Sequence, residues 1–308
     1  MAFTDNLNKI VDSEQPFALS TLYVLSNLEP EAQAEFEAVW PGTALERRRR
    51  IAGSLQELAE EDIELEFSTI FHFLLKDTDA QVRIDAIEGL WEDESRQFLA
   101  RLLDIIEHDA ANEVREKAAV TLGHFCYLAE LGKLPERWAR RLYDTIMELV
   151  EHKTLPVEVE RRLVEDLGYF FNDPRVTKII GEAYNDDDSQ LQASALRAMG
   201  RNMDMRWIPE VGQQMSNDEP ALRYEAATAA GEMSSAELLP SVLSLANDED
   251  MEVRLAAIWA MGQIGGPEAS RVLKELISDK REAVREAVQE ALTEVTFNAN
   301  PLNVLRTS

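Results

Sequence analysis

The sequence predicts an all-α protein, a solenoid of stacked helix pairs, and three observations lead to that reading. One motif returns at nearly constant spacing along most of the chain. Ala and Leu carry most of the apolar content: hydrophobic residues make up 45% of the 308 residues and aromatics only 7%. Both are strong helix formers, and no stretch is dominated by β-branched residues or alternates as a strand would.

The motif is an acidic turn, then Val/Leu-Arg, then a small residue three positions after the Arg, then an apolar residue four further on, often followed by Gly. It appears at Val82-Arg83 with Ala86 and Leu90, and at Val114-Arg115 with Ala118 and Leu122-Gly123. It returns at Leu222-Arg223, Val253-Arg254 and Val284-Arg285, with degenerate copies at Val159-Glu160 and Leu191-Gln192. The anchors Val159, Leu191, Leu222, Val253 and Val284 are separated by 32, 31, 31 and 31 positions, and Val82 and Val114 by 32. Val114 to Val159 is 45, which predicts an insertion near Leu128–Glu136. A fixed period of this size is the mark of a repeat architecture, in which each unit buries its apolar face only by stacking on the next.

Taken in order, residues 1–60 carry no clear copy and read as divergent capping helices. Amphipathic stretches at Pro16–Asn27 and Pro30–Trp40 start near prolines, and Thr43–Ala59 follows Pro41-Gly42. Residues 61–296 form the array. Anchor, small residue and Leu/Met share one face of each second helix. First helices are expected at Ile63–Leu75, Ser95–Glu107, Ala236–Ala246 and Pro267–Ile277. Asp77, Asp109, Asp218, Asp248 and Asp279 end these helices and are expected to cap the next ones. The Gly after Met199, Ala230 and Met261 is placed near the following turn, and Gly123 and Gly168 inside their helices. Residues 297–308 lose the period and read as a frayed tail.

These residues resemble HEAT repeats, specifically the short class of about thirty residues known as lyase-type HEAT-like repeats. The Asp-rich turn, the Val-Arg of the second helix, and Pro209 and Pro240 in the first helices carry the likeness. It covers about residues 62–296, strongest at 218–293 and weakest at 155–203. The resemblance implies a right-handed α–α superhelix, here of about eight to nine helix pairs. It also implies a ladder of ion pairs between turn Asp and helix Arg, here Asp77, Arg83, Asp109, Arg115, Asp218, Arg223, Asp248, Arg254, Asp279 and Arg285. Glu160 and Gln192 replace the expected Arg, so the ladder should lapse there and the middle should flex.

The chemistry-bearing residues do not assemble into a catalytic pattern. A HEAT-like metal oxygenase, deoxyhypusine hydroxylase, uses paired His-Glu motifs. This chain has the reverse order at Glu107-His108 and Glu151-His152, and no Glu follows His72 or His124. Asn185-Asp186-Asp187-Asp188 lacks the spacing of a calcium loop. Gly262-Gln263-Ile264-Gly265-Gly266 follows a helix rather than a strand and reads as a turn, not a phosphate cradle. Cys126 is the single cysteine and sits in the apolar run Phe125–Leu128 as an inert buried thiol. No cofactor, metal or catalytic residue is expected, and the protein reads as a non-enzyme.

Charge narrows the partner. Asp and Glu number 58 against 31 Lys and Arg, a formal net charge of −27, which repels phosphate backbones and disfavours nucleic acid. Solubility of a helical array is one reading of that field, and a protein or peptide partner of basic character is the functional one. The lone basic cluster, Arg47-Arg48-Arg49-Arg50, reads as a solvated helix face paired with Glu46, Glu57 and nearby acids. No signal peptide or membrane-length apolar run is visible, so a cytoplasmic location is expected and no membrane partner.

In a stacked array, positions two and six past each anchor point away from the core. Arg197, Tyr224, Leu255 and Trp259 occupy such positions in three consecutive units. These are residue types that include the usual interface anchors. The expected function is a scaffold or adaptor holding a protein or peptide on this face, with Trp259 either exposed or packed between repeats. The resemblance also admits an accessory subunit like those that hold protein substrates for bilin attachment.

Overall fold

A computed structural model describes residues 2–16, 18–152 and 155–299, and among them there is no strand. The chain divides into two compact units. One takes the residues up to Phe125 together with Glu136–Leu142, and the other takes Cys126–Pro135 and the residues from Tyr143 onward.

The first unit holds α1 (Ala2–Val11), α2 (Pro30–Val39), α3 (Leu45–Glu61), α4 (Ser68–Leu74), α5 (Ala80–Gly89) and α6 (Arg96–His108). A 3₁₀ segment, Leu19–Leu25, buries Leu22 and Leu25 between α1 and α2 in the chain. Helix α3 packs along α5, and α4 packs on both α2 and α5. Helices α7 (Asn112–Glu130) and α8 (Glu136–Glu151) are each shared between the units. They are 19 and 16 residues long, so the 45-position gap is spent largely on lengthening this one pair.

The second unit continues with α9 (Val157–Leu167), α10 (Pro174–Tyr184), α11 (Ser189–Asn202), α12 (Ile208–Gln214) and α13 (Pro220–Met233). It closes with α14 (Leu239–Ser244), α15 (Met251–Ile264), α16 (Gly266–Leu276) and α17 (Glu282–Ala299). The second helices α9, α11, α13, α15 and α17 pack side by side in that order, and α10, α12, α14 and α16 back them as a second layer. This is an α-solenoid of helix pairs. Its core holds the anchors Val159, Leu191, Leu222, Val253 and Val284, all buried. Of the expected tail, residues 297–299 extend α17, and residues 300–308 lie outside the described residues.

The layer of second helices is unusually close. An ideal Cβ on Gly168, Gly200 or Gly262 would lie 2.8 Å from Ala198 O, 2.7 Å from Ala229 Cα or 2.9 Å from Ala291 Cα. Gly231 likewise backs onto Ala260. Glycine on one helix therefore meets alanine on the next, once per repeat, and backbone touches backbone. Gly200, Gly231 and Gly262 lie in the last turn of their helices, near the following turn as expected, whereas Gly168, expected inside its helix, is the residue that ends α9; at all four the missing Cβ permits the approach.

The turns differ from expectation in an instructive way. Asp77, Asp109, Asp248 and Asp279 do not cap the following helix. Each accepts the N–H two residues on, from Asp79, Ala111, Asp250 and Arg281 respectively, closing a small side-chain turn. The caps are the next carboxylates, with Asp79 accepting from Val82 N, Asp188 from Leu191 N and Asp250 from Val253 N. The side chain of Asn217, not Asp218, occupies the equivalent turn position and accepts the Glu219 N–H. The helix expected over Ile63–Leu75 begins only at Ser68, and Ile63 stands in the preceding turn.

Candidate functional site

Where a second helix carries the motif Arg, that residue can serve two roles. It reaches back six residues to a turn carbonyl of its own repeat: Arg83 to Asp77 O, Arg223 to Asn217 O, Arg254 to Asp248 O and Arg285 to Asp279 O. Such carbonyls have no intrahelical partner, so this bond removes a buried cost. Arg115 reaches Ile106 O instead. Where the next turn offers a carboxylate, the guanidinium also grips it with two bonds. Arg83 holds Asp109 at 2.7 and 2.8 Å, and Arg223 holds Asp248 at 2.8 Å.

Other rungs are absent or redirected. Asp279 is taken by Arg281 of its own turn at 2.7 Å, which leaves Nε and Nη1 of buried Arg254 without hydrogen-bond partners. At the lapse, Gln192 keeps the bond to the turn carbonyl, Asp186 O, at 2.6 Å. The turn that would receive it presents neutral Asn217, so both partners of that rung have lost their charge. The basic cluster supplies a rung that the sequence reading missed. Arg48 grips Asp77 at 2.6–2.7 Å, with Trp40 Nε1 donating to the same buried carboxylate, and Arg49 grips Asp79. Arg47 is buried and donates to Ile10 O and Lys9 O. Thus α3 acts as a second helix, with Arg48 and Arg49 turned to Asp77 and Asp79 and Glu46 lying 3.9 Å from Arg49. The missed signal was spacing: Arg48 precedes Asp77 by 29 positions, close to the 26 from Arg83 to Asp109.

Between α9 and α13 a different polar chain replaces the lapsed rung. Buried Glu165 accepts from Ser194 Oγ at 2.7 Å and pairs with Arg162 at 3.2 Å and Arg197 at 3.5 Å. Arg197 in turn binds both oxygens of Glu225, at 2.7 and 3.2 Å. Burial pulls the Arg197 pKa down, but the hydrogen bonds and charge of Glu225 and the charge of Glu165 carry it above its ordinary value. Arg201 lies over the Tyr169 ring at 4.9 Å and donates to Glu165 O. Beside it, Asp166 is 3% exposed, and burial drives its carboxyl well above the usual range, with Arg201 at 3.9 Å opposing. Burial likewise raises Glu232 and the thiol of Cys126.

This arrangement sorts the four expected contact residues. Arg197, one third exposed, is held by Glu165 and Glu225. Tyr224 and Leu255 are half-buried on α13 and α15, and Trp259 is 41% exposed. The Trp259 ring lies against Gly231, whose added Cβ would fall 2.3 Å from indole Cζ3. Trp259 is therefore both packed between repeats and open to solvent. Leu255 and Trp259 are one turn apart on α15, and Tyr224 is the α13 counterpart of Leu255. On α17 the matching positions are Glu286 and Glu290, both exposed.

Histidines find local partners: His72 meets Asp93 at 2.7 Å, His124 meets Glu94 at 3.0 Å, and His108 and His152 meet carbonyls one turn back. Among the described residues no three His, Cys, Asp or Glu side chains gather as a metal site, and no helix is long and apolar enough to cross a membrane.

With this geometry the class is an α-solenoid of stacked helix pairs. The family described as HEAT repeats matches residues 208–293, the stretch from α12 into α17. No curated protein matches the sequence. Similar solved structures include an engineered protein, 15% identical over 96% of this chain and 88% of that one, with a TM-score of 0.45. Human deoxyhypusine hydroxylase in complex with glycerol is 17% identical over 85% of this chain and 96% of its own, at 0.37. YibA of Escherichia coli is 15% identical over 78% and 96%, at 0.45. The repeat character rests on the motif, the matched segment and the helix packing.

Proposed function

We propose that the protein is a non-catalytic interaction scaffold that holds a protein or peptide on the second-helix face of its second unit, with Tyr224, Leu255 and Trp259 as anchors. The observation that carries this reading is Trp259. A large ring fixed against Gly231, yet open to solvent, offers contact area at little further cost in side-chain entropy. The exposed carboxylates of Glu286 and Glu290 on the neighbouring helix, and the net charge of −27, favour a partner of basic character over a nucleic acid. A cytoplasmic location belongs to the same proposal, since Cys126 is the single cysteine and is buried as a free thiol. The paired change Tyr224→Ala with Trp259→Ala tests the reading. Capture of the partner should fall by at least about tenfold at unchanged helicity, and capture at wild-type yield would refute the assignment.

A further inference from the structure

A second surface lies in the first unit, on different elements from the face above. The turn after α3 and the turn after α5 enclose a groove of about 400 Å³. Its floor is the buried Phe71 ring, which lies flush on Gly89, where an added Cβ would fall 2.3 Å from Phe71 Cζ. Its walls are two of the most exposed large apolar residues of the chain, Ile63 at 89% and Trp91 at 56%. An isoleucine so placed in a turn buries little within its own chain and gains most when something covers it.

The rim is wholly of one sign. The groove is lined by Glu66, Glu92, Asp93 and Glu94, and by no Lys or Arg. No Lys or Arg occurs between Arg50 and Lys76 or between Arg83 and Arg96, while Glu60, Glu61, Asp62 and Glu64 flank Ile63. His72 and His124 engage Asp93 and Glu94, and no Lys or Arg pairs with Glu64, Glu66 or Glu92 among the described residues. An apolar slot between like charges selects its occupant by complementarity. It repels anionic headgroups and nucleic acid, and it repels a second copy of this acidic chain.

We propose that this groove docks a segment of a partner protein carrying apolar side chains flanked by Lys or Arg, such as one face of a basic amphipathic helix. The apolar residues cover Ile63 and Trp91, and the cations meet the carboxylate rim. Unlike the second-unit face, the site depends on Ile63 and Trp91 and not on Trp259, so the two proposals fail separately.

Fluorescence anisotropy with a labelled Lys/Leu amphipathic helical peptide, and with its Glu/Leu counterpart, tests it on the full chain. The basic peptide should bind, weaken as salt rises, and lose about tenfold in affinity with Ile63→Ser or Trp91→Ala. Glu66→Gln with Glu92→Gln should weaken it by several-fold, and Trp259→Ala should leave it unchanged. Both Ile63 and Trp91 are exposed, and circular dichroism checks that the variants stay folded. Equal affinity for wild type and Ile63→Ser would reduce the interaction to diffuse attraction and overturn the proposal, as would equal binding of the Glu/Leu peptide. Dimerisation abolished by Ile63→Ser in light scattering would assign the groove to a second copy instead, and would equally overturn it.

Discussion

Asp166 shows how a single side chain in this array is set by its surroundings. It is buried beside Arg201 with one oxygen, Oδ2, lacking a hydrogen bond, and burial holds its pKa well above the ordinary carboxylate value. The folded state thus keeps its proton more readily than the unfolded state. The contribution of this group is favourable in acid and is lost as pH rises above the usual Asp pKa, roughly 4. Asp166→Asn, a neutral mimic, should therefore raise the melting temperature at pH 8 relative to wild type by more than it does at pH 4.5. Equal shifts at the two pH values, measured by thermal unfolding, would contradict that assignment. Little at the residue scale was legible beforehand. Arg197 reads in sequence as an exposed contact residue because position six past the anchor points outward, yet Glu165 and Glu225, one repeat to either side, draw it in. Sequence periodicity gives the direction of a side chain but not the charge waiting for it on the next helix.

At the scale of the element, the second helices are the repeating unit, and their ends carry strain that glycine would relieve. Met203, Ser234 and Gly265 directly follow α11, α13 and α15, and all three have positive φ, between 49° and 67°. Met203 holds φ 51° while 51% exposed, so its side chain gains little from the position. Met203→Gly should stabilise the protein by about 1 kcal/mol in denaturant titration. The close approach between helices predicts the opposite sign elsewhere. Gly200→Ala would press a methyl against the Ala229 backbone at 2.7 Å and should destabilise by about 1–3 kcal/mol. The anchor positions were legible to the residue because the 31-residue period fixes them. The caps were displaced by two residues, since a run such as Asp77-Thr78-Asp79 offers two carboxylates and only the local turn decides which one closes the helix. Ile63 reads as helical for a related reason, being an apolar residue in periodic register, while its surroundings leave it in a turn.

For the whole molecule, the fold was readable and the partner was not. A period, a small residue at the contact and an apolar anchor suffice to specify stacking, because each describes how one repeat meets the next. Recognition requires instead knowing which apolar groups are left over after stacking is complete. Trp259 could not be placed from sequence, since its ring uses the space vacated by Gly231 on another helix. The expectation that the middle of the array loses coupling is also modified: Gln192 and Asn217 lose one charged rung, while the chain Glu165, Arg197 and Glu225 joins α9, α11 and α13 directly. Protein binding on the face bearing Tyr224, Leu255 and Trp259 is what we propose. Its most direct test is affinity capture from the native cell, comparing wild type with the Tyr224→Ala, Trp259→Ala variant by quantitative mass spectrometry, followed by measured affinity for the captured partner. A partner depleted by about tenfold or more with helicity intact is expected; the same proteins captured at equal yield, with equal affinity, would overturn the proposal.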